Sequence, residues 1–429
     1  MMKQILTTFA LLTAALTGIT SCSTARKNQE TTDGTTSASE QVSKTPDDML
    51  EDNYLVLSDS QREMALQNNQ FAINLFKQMP GMGSKVVSPL SVTYLMAMLS
   101  NGADGATRTE IAQALGWKDA TEEDINEFCQ AMMAWAGKAD KATTVNIANY
   151  VALNRNYKLL SPFAKTVSQS YQGGIESLDF SSDKTTRRIN GWCSEHTNGM
   201  IPKIIDSVEP SAVSYIMNAI YFCGTWTDKF DKQDTREENF RGYTRDIKRV
   251  PMMHRNDEYQ YTENDTLQMV QIPYGSRNYY MSVLLPKAGH SIDDILANLT
   301  PQSLQQLGWN TRKYIVDLKL PRFTTEQELP LNDIITRLGA GRMFNPSAAD
   351  FSRFALGKDF CVSKMLQKAK IEVSEEGTKA AAVTAAIMTM SALTEPPLHV
   401  NFHANRPFLY FITDGASGTI LFMGQFSGE

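Results

Sequence analysis

Histidines, glycines and cysteines give this chain four openings for chemistry, and none of them develops into an active site. His399 and His403 stand four apart, the spacing of two metal ligands on one helix face. No Glu follows His399, however, and Val400 and Phe402 make the segment strand-like, with no third ligand in view. Metal binding is not expected there. Gly81-Met82-Gly83 and Gly339-Ala340-Gly341 each lack the third glycine of a dinucleotide loop and read as turns and helix stops. There is no Gly-x-Ser-x-Gly elbow and no phosphate loop, and only His196, His254, His290, His399 and His403 are available as histidine bases. The cysteines at 22, 129, 193, 223 and 361 include no Cys-x-x-Cys pair, which excludes a zinc knuckle and a dense disulfide frame. Cys223 lies in an apolar run and Cys193 beside Trp192, so both read as inert core thiols. The chain is read as a non-enzyme without metal or cofactor.

The segment that stands out is Glu375-Glu376-Gly377-Thr378-Lys379-Ala380-Ala381-Ala382-Val383-Thr384-Ala385-Ala386. Alanine favours helix, but Gly377 and the β-branched Thr378, Val383 and Thr384 argue against a plain surface helix. Ile387-Met388-Thr389-Met390-Ser391 and then Glu395-Pro396-Pro397 follow. A run this small and apolar, left exposed ahead of a proline break, is an aggregation hazard unless it serves a purpose.

Other parts of the chain must carry that segment. The 41 Lys and Arg against 47 Asp and Glu leave a net charge of −6, with no bias toward nucleic acid or anionic lipid. With 42% hydrophobic and 21% charged residues, most of the chain can bury a core. Lys3 and the short apolar stretch Ile5 to Ile19 read as an export signal for residues 1–22. It ends in Leu16-Thr17-Gly18-Ile19-Thr20-Ser21-Cys22, which resembles a bacterial lipobox, with Cys22 as the lipidated residue; the plainer alternative is an ordinary signal with an incidental cysteine. Residues 23–53, rich in Ser, Thr, Gln and Glu, cannot offset their ordering entropy and are expected to form a flexible tether. A single domain over 54–429 follows.

Within that domain, Phe71, Ala72, Leu75, Phe76 and Met79 recur at helical spacing, Ser88-Pro89 marks a helix start, and Thr107 with Glu110 suggests a capping box ending at Gly116. Val145, Ile147, Asn149, Val151 and Leu153 alternate like an edge strand, and Tyr215 to Phe222 reads as a buried central one. Two hairpins are expected, about Tyr274–Asn278 and Asp414–Gly418. Helices first and hairpins later argue for an α+β fold with largely antiparallel sheets.

The Glu375–Ala386 segment resembles the hinge and reactive-centre loop of the serpins, the serine protease inhibitor family. Further pieces agree in order along the chain: Ser88-Pro89-Leu90-Ser91, Asn101 to Thr107, Ile189-Asn190-Gly191-Trp192, Thr197 to Ile201, Asn218 to Trp226, Arg406-Pro407-Phe408 and Leu421-Phe422-Met423-Gly424. The resemblance implies a serpin fold, helices plus three mostly antiparallel sheets with an exposed reactive-centre loop over about 375–400. It implies suicide inhibition: the protease attacks the loop, the hinge side inserts into the large sheet as a new strand, and the acylated protease is carried along and deformed. In the family's phase Thr378, Ala380, Ala382, Thr384 and Ala386 face inward and Lys379 faces water, so the only charge in the run falls on the permitted face. Glu375 and Lys368 resemble the paired residues at the base of the loop, Trp226 the tryptophan under the top of the sheet, and Ser88, Ser91 and Asn218 the polar cluster where strands part. Gln367 departs from the histidine that many members place in that cluster.

In the family's register the reactive bond joins Ser391 to Ala392; because the chain from there to Pro407 is longer than usual, Met388, Met390 and Leu393 are alternatives. No Lys or Arg lies between Ala380 and Asn405, which disfavours a trypsin-like target. The expected partner is an elastase-, chymotrypsin- or subtilisin-like serine protease, with papain-like cysteine proteases as a second class. The expected protein is a monomer at a bacterial cell envelope, touching membrane through its lipid anchor only and binding no nucleic acid. The competing reading is a non-inhibitory serpin-fold binding or structural protein whose loop is merely a substrate.

Overall fold

The computed structural model describes residues 55–357, 360–378 and 398–429. Helices dominate the first part. The helix Asp59–Lys77 buries Phe71, Ala72, Leu75 and Phe76, the stripe its spacing predicts, and starts at a capping box between Ser58 and Gln61. Every residue of the next helix, Pro89–Gly102, is buried, as an all-round apolar sequence requires. The box expected at Thr107 and Glu110 does not form. The helix Gly105–Leu115 begins earlier, under Asp104, while the Thr107 hydroxyl accepts from the Asp350 N–H at 2.9 Å and Glu110 accepts from Arg342 Nε at 3.0 Å. Gly116 does end it, in the left-handed region at φ 81°.

The strands are β1 (Lys85–Val87), β2 (Thr143–Asn154), β3 (Lys158–Leu159), β4 (Gly174–Leu178), β5 (Ser214–Thr225), β6 (Arg236–Arg241), β7 (Ile247–Glu263), β8 (Leu267–Tyr274) and β9 (Tyr279–Pro286). They continue with β10 (Arg312–Pro321), β11 (Phe323–Pro330), β12 (Ala355–Leu356), β13 (Lys364–Ser374), β14 (Gly377–Thr378), β15 (His399–His403), β16 (Phe408–Asp414) and β17 (Ile420–Phe426). One sheet runs β11-β13-β14-β5-β2-β4; another runs β1-β17-β16-β9-β8-β7-β10-β15 with β6 on β7; β12 and β3 form a small third. The long strand β7 holds two sets of neighbours, β6 and β10 along most of its length and β8 at its end. The larger sheet therefore branches at this strand. Most pairings are antiparallel, the described exceptions being β10 with β15, β13 with β5 and β2 with β4.

Both expected hairpins are present, β8 with β9 and β16 with β17. β5 is central, as its unbroken apolar run predicts. β2 is not the edge strand that its alternation suggests, because β4 covers Tyr150 to Asn154 and only the first half of β2 lacks a second neighbour. The helix Pro89–Gly102 packs on β5, β2 and β17. The described residues all fall within one unit, Leu50–Glu429. Among them, no helix is long and apolar enough to cross a membrane. Cys22, the export signal 1–22 and the tether 23–53 lie outside the described residues.

Candidate functional site

The hinge enters the six-stranded sheet where β13 and β5 part. Lower down, these two strands pair directly and in parallel, Lys364–Lys370 with Tyr215–Tyr221. At the top β14 lies between them, Gly377 opposite Thr225 and Ser374, Thr378 opposite Gly224 and Val373. Thr378 is fully buried, and its hydroxyl lies 2.7 Å from that of Tyr274, which is also buried. Gly377 has φ 136°, and a Cβ placed on it would stand 2.1 Å from the Gly224 carbonyl oxygen and 2.7 Å from Thr225 Cα. Both contacts are with backbone and cannot yield by rotation. Gly377→Val is therefore expected to drive β14 out of the sheet, seen as lost amide exchange protection at 377–378, with the pairing of β13 to β5 lower down retained.

The two hinge carboxylates have separate anchors. Glu375 is 2% exposed and accepts from Thr235 Oγ1 at 2.8 Å and Arg322 Nη1 at 3.3 Å. Glu376 meets Lys229 at 2.8 Å and Lys232 at 3.2 Å, and hydrogen bonds from these two ammonium groups hold its carboxyl below the usual range. Trp226 ties the top together. Its indole N–H donates to the Ser374 carbonyl at 2.8 Å, its ring stacks on Tyr274 at 4.3 Å, and its backbone N–H donates to the Glu376 carbonyl at 3.1 Å.

Lower in the sheet, amides from three strands line up in register: Gln367 of β13 opposite Asn218 of β5, opposite Asn149 of β2. Gln367 Oε1 accepts from the Ser88 N–H at 2.9 Å, while its Nε2 donates to the Ser88 carbonyl at 2.8 Å and to Asn218 Oδ1 at 3.3 Å. Asn218 Nδ2 then donates to Asn149 Oδ1 at 2.9 Å, and the Ser88 hydroxyl, which does not cap its helix, donates to Ser91 Oγ at 3.0 Å. All five side chains are buried. A carboxamide both accepts and donates here, so Gln367 satisfies the Ser88 backbone on both sides, which one imidazole nitrogen cannot do. Gln367→His is expected to cost about 1–3 kcal/mol through an unsatisfied N–H. A buried neutral histidine binds protons less readily than an unfolded one, so the variant's stability should fall more steeply than the wild type's below about pH 6.5, as read by urea unfolding across pH.

Ser88, Ser91 and Asn218 thus come together, with Gln367, while Trp226 belongs to the separate cluster around the hinge. Lys368 joins neither and does not pair with Glu375. Lys368 lies within β13, whereas Glu375 follows the end of that strand at Ser374, in the turn that leads to β14. Lys368 instead meets Glu326 at 3.0 Å and the Lys203 carbonyl at 2.9 Å; the cation beside Glu375 is Arg322. The sequence reading missed Arg322, Lys229, Lys232, Tyr274 and Asn149. Of these, only Asn149 left a signal, as the polar member of the alternating set Val145, Ile147, Asn149, Val151 and Leu153. Lys379, Ala380, Ala381, Ala382, Val383 and Thr384, and the reactive-bond candidates Met388, Met390, Ser391, Ala392 and Leu393, lie outside the described residues. Burial pushes the Cys193 thiol up to about 12, which keeps it protonated and unreactive at neutral pH.

A family model described as Serpin (serine protease inhibitor) matches residues 66–428. The chain is 32% identical over 376 residues to an uncharacterized serpin-like protein of Thermococcus kodakarensis, with 87% of each covered. It is also 32% identical over 382 residues to the human leukocyte elastase inhibitor, covering 85% of this chain and 99% of that one. Among solved structures, tengpin, a thermophilic serpin in its native state, matches with a TM-score of 0.79 and 28% identity over 87% of this chain and 96% of that one. Human thyroxine-binding globulin complexed with thyroxine matches at 0.78 and 26%, over 85% and 98%. By its family match, its identity to these relatives and its fold, the chain belongs to the serpin family.

Proposed function

We propose that this serpin is a suicide inhibitor of serine proteases that traps its target by inserting the cleaved loop between β5 and β13; it is not itself a catalyst. The observation that carries the reading is β14, two hinge residues already paired with both strands at the point where those strands separate. The direct contact of β13 with β5 below that point is a parallel one, so an antiparallel strand entering there exchanges it for pairings on both sides. About a dozen added ladder hydrogen bonds at roughly 1 kcal/mol net each favour entry. Trapping requires that the protease lose its oxyanion hole, and removal of one donor slows deacylation by about 10²–10³.

Elastase-, chymotrypsin- and subtilisin-like enzymes fit the absence of Lys and Arg between Ala380 and Asn405, with cleavage between Ser391 and Ala392 or at Met388, Met390 or Leu393, and papain-like enzymes as a second class. The relative named leukocyte elastase inhibitor points the same way. Lipidation at Cys22 would tether a monomeric inhibitor to a bacterial envelope, where it would meet host or neighbouring proteases; Cys22→Ala should then move the protein from the membrane to the soluble fraction.

One observation favours a second reading, a binding protein. A cavity of about 490 Å³, lined by Arg62, Asn69, Gln271, Leu304 and Phe411 among others, is the size of a small-molecule site. Melting the protein after protease cleavage of the loop separates the two. A higher melting temperature and a released C-terminal peptide, whose mass gives the scissile bond, support insertion. Cleavage without stabilisation across a panel of proteases supports the binding reading.

A further inference from the structure

One row of the six-stranded sheet is gripped at both ends by groups on the same face. The row runs through Thr378 of β14, Gly224 of β5 and Thr143 of β2, paired in register, and residues directly opposite share a face. At one end the Thr378 hydroxyl lies 2.7 Å from that of Tyr274, the last residue of β8. In the middle, a Cβ on Gly224 would stand 2.9 Å from Tyr274 Cδ1, so the tyrosine ring lies across space that a side chain would need. At the other end the Thr143 hydroxyl donates to Asp140 Oδ2 at 3.1 Å. The same Oδ2 accepts from the Ser276 N–H at 3.0 Å, in the turn between β8 and β9, while Oδ1 accepts from the Ala142 N–H at 2.8 Å. The carboxylate therefore closes a circuit from Thr143 through Gly224, Thr378 and Tyr274 to Ser276.

The turn is shaped to receive that carboxylate. Gly275 has φ 46°, and a Cβ there would stand 1.9 Å from Asp140 Oδ2, so the acid fills the place of a side chain. The Gly275 N–H donates to the Thr225 carbonyl at 2.7 Å, and its own carbonyl accepts from Thr227 Oγ1 at 2.9 Å. Asn278 Nδ2 donates to the Ala139 carbonyl, next to Asp140. The turn is thus seated on the end of β5 and on the segment that leads into β2. Asp140 joins it to the hinge row through one side chain, because Thr143 is itself a member of that row. Nothing local marks Asp140 for this task, since Ser276 is 136 residues away.

We propose that Asp140 is a positioning residue for the hinge. It fixes the 274–278 turn against the start of β2, so that Tyr274 meets Thr378 and the first two hinge residues stay in the sheet before any cleavage. Its effect passes through Tyr274, whose hydroxyl makes the contact with the hinge. The consequence for trapping rests on the inhibitor reading. There β14 is the preformed start of the strand that insertion extends, and residues already paired need no ordering during the race with deacylation. Loosening them slows insertion and leaves more of the loop merely cut.

Amide hydrogen exchange in the uncleaved full-length protein tests the role of Asp140 without a protease. Asp140→Ala should lower protection at 377–378 roughly fivefold, the worth of about one net hydrogen bond. Protection of β13 where it pairs directly with β5, over Lys364–Lys370, should not change. Tyr274→Phe should lower protection at 377–378 by a similar factor, and the double variant no further than Tyr274→Phe alone, because both remove the same link. Asp140→Asn, which retains one accepting oxygen, should recover part of the loss. Thr143→Val, which keeps the strand and removes one donor, is the milder variant should Asp140→Ala lose protection throughout, and it should shift 377–378 alone. Unchanged protection in Asp140→Ala and Thr143→Val, or losses that multiply in the double variant, would overturn the proposal. Trapping is read separately, as inhibitor consumed per protease, and should rise in Asp140→Ala by about the same factor. Lost protection with unchanged consumption would overturn the consequence for trapping, whereas a wild type that traps no protease would refute the inhibitor reading and leave the hinge result standing.

Discussion

Under the proposed trapping mechanism, Thr378→Arg is expected to leave a loop that is only a protease substrate. The native side chain is fully buried beside Tyr274, with its backbone bonded into both β13 and β5. Any inserted form must keep this position inside the sheet, and a guanidinium there would have no counter-ion. Leaving such a charge buried without a partner costs several kcal/mol, and each 1.4 kcal/mol is a factor of ten in the partition between insertion and deacylation. The fraction of protease trapped should fall more than about 100-fold while the loop is still cut at the same bond. Thr378→Ala, which loses one hydroxyl contact but fits the space, should stay within about tenfold of wild type. Titration of protease against each variant, with gel analysis of the products, gives both numbers. Undiminished trapping by the arginine variant would show that trapping does not require position 378 to stay inside the sheet.

The second large effect is Trp226→Ala. The indole is 1% exposed, stacks on Tyr274 and holds the Ser374 carbonyl. Removing a buried tryptophan costs about 3–5 kcal/mol, and an unsatisfied Ser374 carbonyl adds about 1–3 kcal/mol. Trp226→Phe separates the two contributions: it keeps a ring against Tyr274, loses the N–H, and should cost close to the second figure alone. Urea unfolding of the three proteins reads this directly, and a cost below about 1 kcal/mol for the alanine variant would mean that the hinge cluster is not held by this residue.

The fold was legible where one local signal sufficed. The alternation and Gly-containing turns of β8 with β9 and β16 with β17 define hairpins that the molecule forms, and the apolar run of β5 marks a strand with neighbours on both sides. β2 was misread as an edge because its cover, Gly174-Ile175-Glu176-Ser177-Leu178, is too short to show a period. Thr107 and Glu110 have the spacing of a capping box, but each side chain is engaged by a residue more than two hundred positions away. The same limit applies at the site. The small residues of the hinge and the polar Ser88, Ser91 and Asn218 could be singled out in one dimension, whereas Arg322, Tyr274 and the two lysines on Glu376 are ordinary residues until the fold brings them to the hinge. The pairing of Lys368 with Glu375 does not form because the fold brings Glu326 to Lys368 and Arg322 to Glu375, neighbours supplied by β11 and the residue just before it.

The central claim is that protease attack on the loop ends in a trapped acyl-enzyme, and the most direct measurement is a denaturing gel. The soluble chain lacking residues 1–22 is mixed in turn with an elastase and a chymotrypsin. The account predicts a band at the summed mass of protease and inhibitor, less the released C-terminal peptide, that survives denaturation and disappears in Thr378→Arg. Clean cleavage of the loop by both enzymes, with the protease recovered fully active and no such band, would contradict it.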